Sequence, residues 1–226
     1  SLGRLAPHVR FFVLQSLSLL PALTSLLLVV VCFGSSTLDA LGLIIDHCSH
    51  HAGHAFHLCF VHGAPLDIGW PSLIGMVLMG LLISTVMTEV LAARRVGRWT
   101  KQLRAVGRFD ETLGVWLLDA PGVAVTTGFL RPTVFVSDPV HSGLSVPHFN
   151  AVIAHEWEHV RRRDALHKSI ARVFSCLHLP SVRQELLREL DQAAEEACDQ
   201  AAANAIGDRF TVAEAIVAVS RRGLRR

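Results

Sequence analysis

Residues 151–164 read AVIAHEWEHVRRRD and contain the pentad His155-Glu156-Trp157-Glu158-His159. On a helix, positions four apart share a face, so the two imidazoles can meet one ion. Glu156, one position past the first histidine, can place its carboxylate beside a water on that ion. Five residues thus supply two neutral ligands and a general base, the minimum for metal-assisted hydrolysis. About 0.03 such pentads are expected by chance from this composition, so the match points to its surroundings for support. Val152, Ile153 and Val160 give the segment an apolar face that a helix would bury.

A catalytic zinc site takes a third protein ligand and leaves a position for water. Downstream lies Glu195-Glu196-Ala197-Cys198-Asp199. Glu195 and Asp199 share a helix face, so Glu195 can close the shell and Asp199 can accept a ligand histidine's ring N–H. Such an acidic run is more commonly a solvated surface, and only the neighbouring His155 and His159 favour the metal reading. Glu158 and Arg162 are expected to form an exposed i,i+4 ion pair. His167 and His178 are candidates for steadying an oxyanion, though a surface or packing role suits each better. Cys198 reads as a small buried residue.

A second group of candidate ligands lies in residues 46–63, DHCSHHAGHAFHLCFVHG. It holds six of the 13 histidines, His47, His50, His51, His54, His57 and His62, bracketed by Cys48 and Cys59. Zinc or copper binding and a Cys48–Cys59 disulfide are both open readings, since no ligand spacing here is diagnostic.

The elements that must hold these residues follow from charge and hydropathy. Of 21 Lys/Arg, only Arg4 and Arg10 precede residue 94, and none falls between Arg10 and Arg94. With 51% hydrophobic and 18% charged residues overall, the chain divides into an apolar half and a water-compatible half. Residues 11–34 and 68–93 are apolar runs longer than the roughly 20 residues that span a hydrocarbon core. The first is too long for the apolar region of a signal peptide, and both lack the polar stripe of a core helix. Cations flank the outer ends of the pair and are missing from the loop between, which places both termini in the cytoplasm and residues 35–67 outside.

Residues 99–113 read as a helix end and linker. Three short runs follow with β character, Val115–Leu118, 123–127 and Thr133–Ser137, the first two joined by Asp119-Ala120-Pro121-Gly122. They suggest a small antiparallel sheet or pair of hairpins, with the third strand free to pair with an extended substrate. Residues 138–147 read as a loop, with Ser145 as the cap of a helix over 146–163. Further helices are expected over 165–177, from 181 through the acidic run, and over 211–221.

The motifs together resemble the M56 family of integral-membrane metallopeptidases, the group of the sensor-transducers BlaR and MecR. The carrying residues are Gly128-Phe129-Leu130-Arg131-Pro132-Thr133-Val134-Phe135-Val136, then His155-Glu156-x-x-His159 with Arg162-Arg163-Asp164, then Glu195-x-x-Cys198-Asp199. The resemblance covers about residues 115–204 and the apolar pair before them. It implies zinc on His155, His159 and Glu195, with Glu156 as base. It also implies an α+β membrane protein, two transmembrane helices followed by a mostly helical gluzincin-like domain with a small antiparallel sheet. Residues 1–98 would then be the membrane region, and residues 99–226 the cytoplasmic peptidase domain. The partners implied are the bilayer and a protein substrate, a cytoplasmic repressor or the chain itself; no nucleic-acid partner is expected. The loop after the first span has no room for a penicillin-binding domain, so β-lactam sensing is not implied. The M48 family of processing and quality-control proteases shares H-E-x-x-H and E-x-x-x-D and is the alternative. A metal sensor without enzymatic activity, working through the His/Cys loop, is the other.

Overall fold

The computed structural model describes residues 5–41, 70–120 and 123–223. The His/Cys-rich segment with Cys48 and Cys59 lies outside the described residues. Two long helices come first, α1 (Pro7–Ala40) and α2 (Trp70–Val106). At 34 and 37 residues they are about 50 and 55 Å long, well beyond a hydrocarbon core of roughly 30 Å. Both are long and apolar enough to cross a membrane. Both also extend past the apolar runs, α1 from Pro7 and α2 on to Val106. On α2, Met76, Val77, Met79, Ile83 and Met87 are all exposed, an apolar surface that water alone would not favour.

Four strands follow: β1 (Arg108–Asp110), β2 (Val115–Leu118), β3 (Ala124–Thr127) and β4 (Thr133–Ser137). The linker expected over 99–113 therefore contains a strand. It turns at Asp110, whose Oδ1 accepts hydrogen bonds from the Thr112 and Leu113 backbone N–H groups at 2.9 and 3.2 Å. The spatial order is β1-β2-β4-β3. β1–β2 and β3–β4 are antiparallel but β2–β4 is parallel, so the sheet is mixed rather than antiparallel. The reason is visible in β4. Val134, Phe135 and Val136 are all buried, as a strand with neighbours on both edges and cover on both faces requires. β4 therefore inserts between β2 and β3, and the turn after β2 joins strands that do not pair. The strand expected to pair with substrate, 133–136, is interior; the open edges of the sheet belong to β1 and β3. The β3–β4 hairpin turns at Gly128, with φ +107°, where a Cβ would lie 2.7 Å from the Arg131 carbonyl oxygen.

The remainder is helical: α3 (Asp138–Gly143), α4 (Val146–Arg162), α5 (Asp164–Phe174), a 3-10 turn (Ser175–Leu177), α6 (Pro180–Ile206) and α7 (Arg209–Gly223). α3 occupies the segment expected to be a loop. Pro139 in its first turn and the fully buried Val140 explain it. Ser145 does precede α4, but its hydroxyl contacts His148 Nδ1 at 3.0 Å instead of capping a backbone N–H.

Three apolar clusters hold the elements together. Val115, Leu117, Val134, Val136 and Phe149 join sheet to α4. Ala151, Val152, Ala202, Val212 and Ala215 join α4, α6 and α7. Phe11, Leu14, Ala171, Leu190, Ala193 and Ala194 seat α1 on α5 and α6. The buried alanines of α6 have no bulk to hold neighbours apart, so α1 and α4 both approach its backbone closely.

Candidate metal centre

α4 and α6 lie against one another and carry the two halves of the site. His155 and His159, one turn apart on α4, bring their Nε2 atoms to 3.1 Å. Glu195 of α6 places Oε2 at 3.6 Å from His155 Nε2 and 3.5 Å from His159 Nε2. Bonds of about 2.0–2.2 Å to a tetrahedral zinc put neighbouring ligand atoms about 3.3 Å apart, so this triangle has the size such an ion needs. His155, His159 and Glu195 thus form a group that could hold a metal ion.

The outward nitrogens each face a carboxylate. His155 Nδ1 lies 2.8 Å from Asp199 Oδ1, the partner expected from the helix spacing. His159 Nδ1 lies 2.8 Å from Asp164 Oδ2. Asp164 is a residue that spacing alone did not single out. It is brought back by Arg163, which ends α4 in the left-handed conformation (φ 53°, ψ 43°) and starts α5 in a new direction. Asp164 is buried and also accepts from Arg162 Nε at 3.0 Å. Arg162 is therefore bound here, and Glu158 pairs instead with Arg161, its Oε2 accepting from Arg161 Nε at 2.7 Å. The expected Glu158–Arg162 pair does not form, because the turn at Arg163 offers Arg162 a buried carboxylate.

Proton affinities follow from this crowding. Burial disfavours the charged form of His155, but the carboxylates of Asp199 and Glu195 outweigh it and raise its pKa to about 9. At His159 burial is again overcome, by Asp164, Cys198 and Glu195, and the pKa is pushed up to about 12. His155 and His159 in turn hold Glu195 well below the usual carboxylate range. A cation between these three side chains would replace protons already held there.

A second group, His159, Asp164 and Cys198, also converges, with Cys198 Sγ 3.3 Å from His159 Nδ1 and 3.6 Å from Asp164 Oδ2. It suits a metal less well. Burial raises the Cys198 thiol pKa, and only the thiolate is a strong ligand.

Glu156 is buried, and its Oε2 accepts a hydrogen bond from Thr126 Oγ1 of β3 at 2.7 Å. Thr126 also reaches the Glu156 carbonyl oxygen, at 3.0 Å. Nothing in the sequence pattern marked Thr126; only the packing of β3 on α4 brings it there. Glu196 faces away from the histidines, and Arg10 of α1 approaches its Oε2 at 3.0 Å. His167 packs edge-on to Phe11 and Phe12, with ring centroids 5.9 and 6.5 Å away. Neither His167 nor His178 lines the cavities at the site.

Two cavities flank the centre and share His155, Glu156 and Glu195. One, of about 310 Å³, is walled by Val152 of α4 and by Val212, Ile216 and Val219 of α7. The other, of about 290 Å³, is more polar and is bordered by Thr126, Gly128, Arg163 and Lys168. Ala124, at the start of the open-edged strand β3, borders both. No protein-family model, curated protein or solved structure matches the chain.

Proposed function

We propose that the chain is a membrane-anchored, zinc-dependent endopeptidase. The observation that carries this reading is the triangle of His155 Nε2, His159 Nε2 and Glu195 Oε2, with edges of 3.1, 3.5 and 3.6 Å, beside the buried Glu156 carboxylate in a cleft bordered by an open-edged strand. His155, His159 and Glu195 would hold the ion, which when bound supplies the Lewis acidity that polarises a peptide carbonyl and acidifies a water.

The chain's own residues do the rest. Asp164 holds Nδ1 of His159 by a hydrogen bond and the Asp199 carboxylate faces Nδ1 of His155, which favours both Nε2 atoms turned inward. Thr126 anchors one oxygen of Glu156 and leaves the other to take the proton of the attacking water. The water oxygen bonds to the carbonyl carbon, the C–N bond breaks, and Glu156 returns the proton to the leaving amine. An extended peptide laid along β3 would add a strand to the sheet, with backbone hydrogen bonds setting its register across Glu156.

The M56-like motifs support placing the domain on the cytoplasmic side, with a cytoplasmic repressor or the chain itself as substrate. The cation distribution supports the same topology. The deciding experiment compares the proteomes of cells carrying the wild type and Glu156→Ala. A cytoplasmic protein cleaved only with the wild type supports the reading; identical proteomes, with zinc bound in both, refute it.

A further inference from the structure

α2 does not stop where its apolar stretch ends. Past Ala93 it continues for more than three turns to Val106 and carries Arg94, Lys101 and Arg104. Their spacing, i, i+7 and i+10, sets them in one stripe. Facing that stripe is the β3–β4 hairpin loop, with Phe129, Leu130 and Arg131. Between helix and loop lies a cavity of about 500 Å³ whose lining includes these six residues and no carboxylate. Leu130 is 74% exposed, a large apolar side chain at a loop tip that no described residue covers. Among the described residues Arg94, Lys101 and Arg131 form no ion pair, while Arg104 donates to the Thr133 hydroxyl.

We infer that this cavity binds an anionic phospholipid, the phosphate among Arg94, Lys101 and Arg131 and the acyl chains along Val90, Ala93 and Leu130. Three features favour lipid over an acidic peptide. Among the described residues the cations lack counter-charges, as a site for an anion requires. The apolar wall is continuous with the apolar part of α2. The exposed Leu130 suits the acyl boundary beneath a headgroup. The inference rests on the membrane reading of α2.

The site also adjoins the catalytic cleft. Thr127 closes β3 immediately before the loop, and its hydroxyl lies 3.0 Å from that of Thr100 on α2 in a buried contact. Thr126, its neighbour, holds Glu156. A lipid bridging α2 and Arg131 would therefore fix the hairpin whose first strand carries the Glu156 contact. Arg94, Lys101 and Arg131 are positioning residues in this scheme and touch no reacting atom.

The test uses the full chain reconstituted in bilayers of phosphatidylcholine alone or mixed with phosphatidylglycerol. Native mass spectrometry reads retained lipid, and alkaline carbonate extraction reads insertion. The wild type should retain phosphatidylglycerol in preference to phosphatidylcholine. Arg94→Gln with Arg131→Gln should lower that preference about 25-fold, at about fivefold per cation. Arg95→Gln with Arg98→Gln removes the same charge from the same helix outside the cavity and should lower the preference clearly less than the cavity pair does. Excess inorganic phosphate should not displace the lipid. Equal losses in both double variants, displacement by phosphate, or no lipid preference in an inserted chain overturns the inference while leaving the peptidase reading intact. A chain released by carbonate overturns the membrane reading as well.

Discussion

The guanidinium of Arg162 lies 4.7 Å from the centre of the Phe11 ring. Arg162 donates to Asp164, and Asp164 holds His159, so three contacts connect the first helix to a candidate metal ligand. Arg10, the neighbour of Phe11, pairs with Glu196, which adjoins the third candidate ligand, Glu195. α1 is thus seated on both helices that carry the centre.

Graded effects along this series are expected. Asp164→Asn should weaken zinc binding by roughly 10–100-fold, the usual effect of losing a ligand histidine's partner. Phe11→Leu keeps apolar bulk but removes the ring face. It should cost at most about tenfold, because a cation–π contact is worth ~0.5–2 kcal/mol and here acts through two further contacts. Chelator competition measures both, and a larger loss in Phe11→Leu than in Asp164→Asn would contradict the series.

The base is tested by an isostere. Glu156→Gln keeps shape and can still accept from Thr126, but its amide cannot take a proton. Zinc content should survive while cleavage falls by at least about 100-fold. Near-normal turnover by the glutamine variant rules out the mechanism.

Thr126→Val removes the hydroxyl that anchors the Glu156 carboxylate and keeps the β-branched shape that a strand favours. Turnover should fall about tenfold, the scale of one hydrogen bond to a charged group, with zinc content and KM little changed. A fall in zinc content would mean that Thr126 supports α4 as a whole rather than the base.

The acidic run allows an ordering. Glu195→Ala should abolish zinc binding. Asp199→Asn should weaken it by roughly 10–100-fold. Glu196→Ala should leave the ion in place and act on thermal stability, since its carboxylate meets Arg10 instead. Metal analysis giving the reverse assignment for Glu195 and Glu196 would exclude the proposed ligand set.

Proton release gives the pH dependence. With pKa values raised to about 9 and about 12, both His155 and His159 are protonated at pH 7 without metal. Ligation requires them neutral, so zinc binding should release about two protons and tighten as pH rises. Above pH 9 His155 has already lost its proton, and release should fall towards one. Calorimetry in buffers of differing ionisation enthalpy counts these protons; release near zero at pH 7 would mean that the histidines are neutral before the ion arrives.

Whatever depends on local spacing was legible before any fold was known. A helix fixes which residues share a face every three to four positions, so His155 and His159 had to be neighbours, as did Glu195 and Asp199. Apolar length likewise gave the two long helices, and β-branched runs gave three of the strands. Tertiary structure decided what depends on distant segments meeting. Strand order was one such choice: β4 pairs with both β2 and β3, making the sheet mixed and leaving β3, not β4, with an open edge. Thr126 reaches Glu156 across 30 positions of sequence because that strand lies on α4. Asp164 reaches His159 because Arg163 adopts a left-handed conformation, rare for a residue with a side chain and unmarked by any glycine. Periodicity constrains only neighbours along a helix or strand; contacts between elements are selected by packing the whole chain at once.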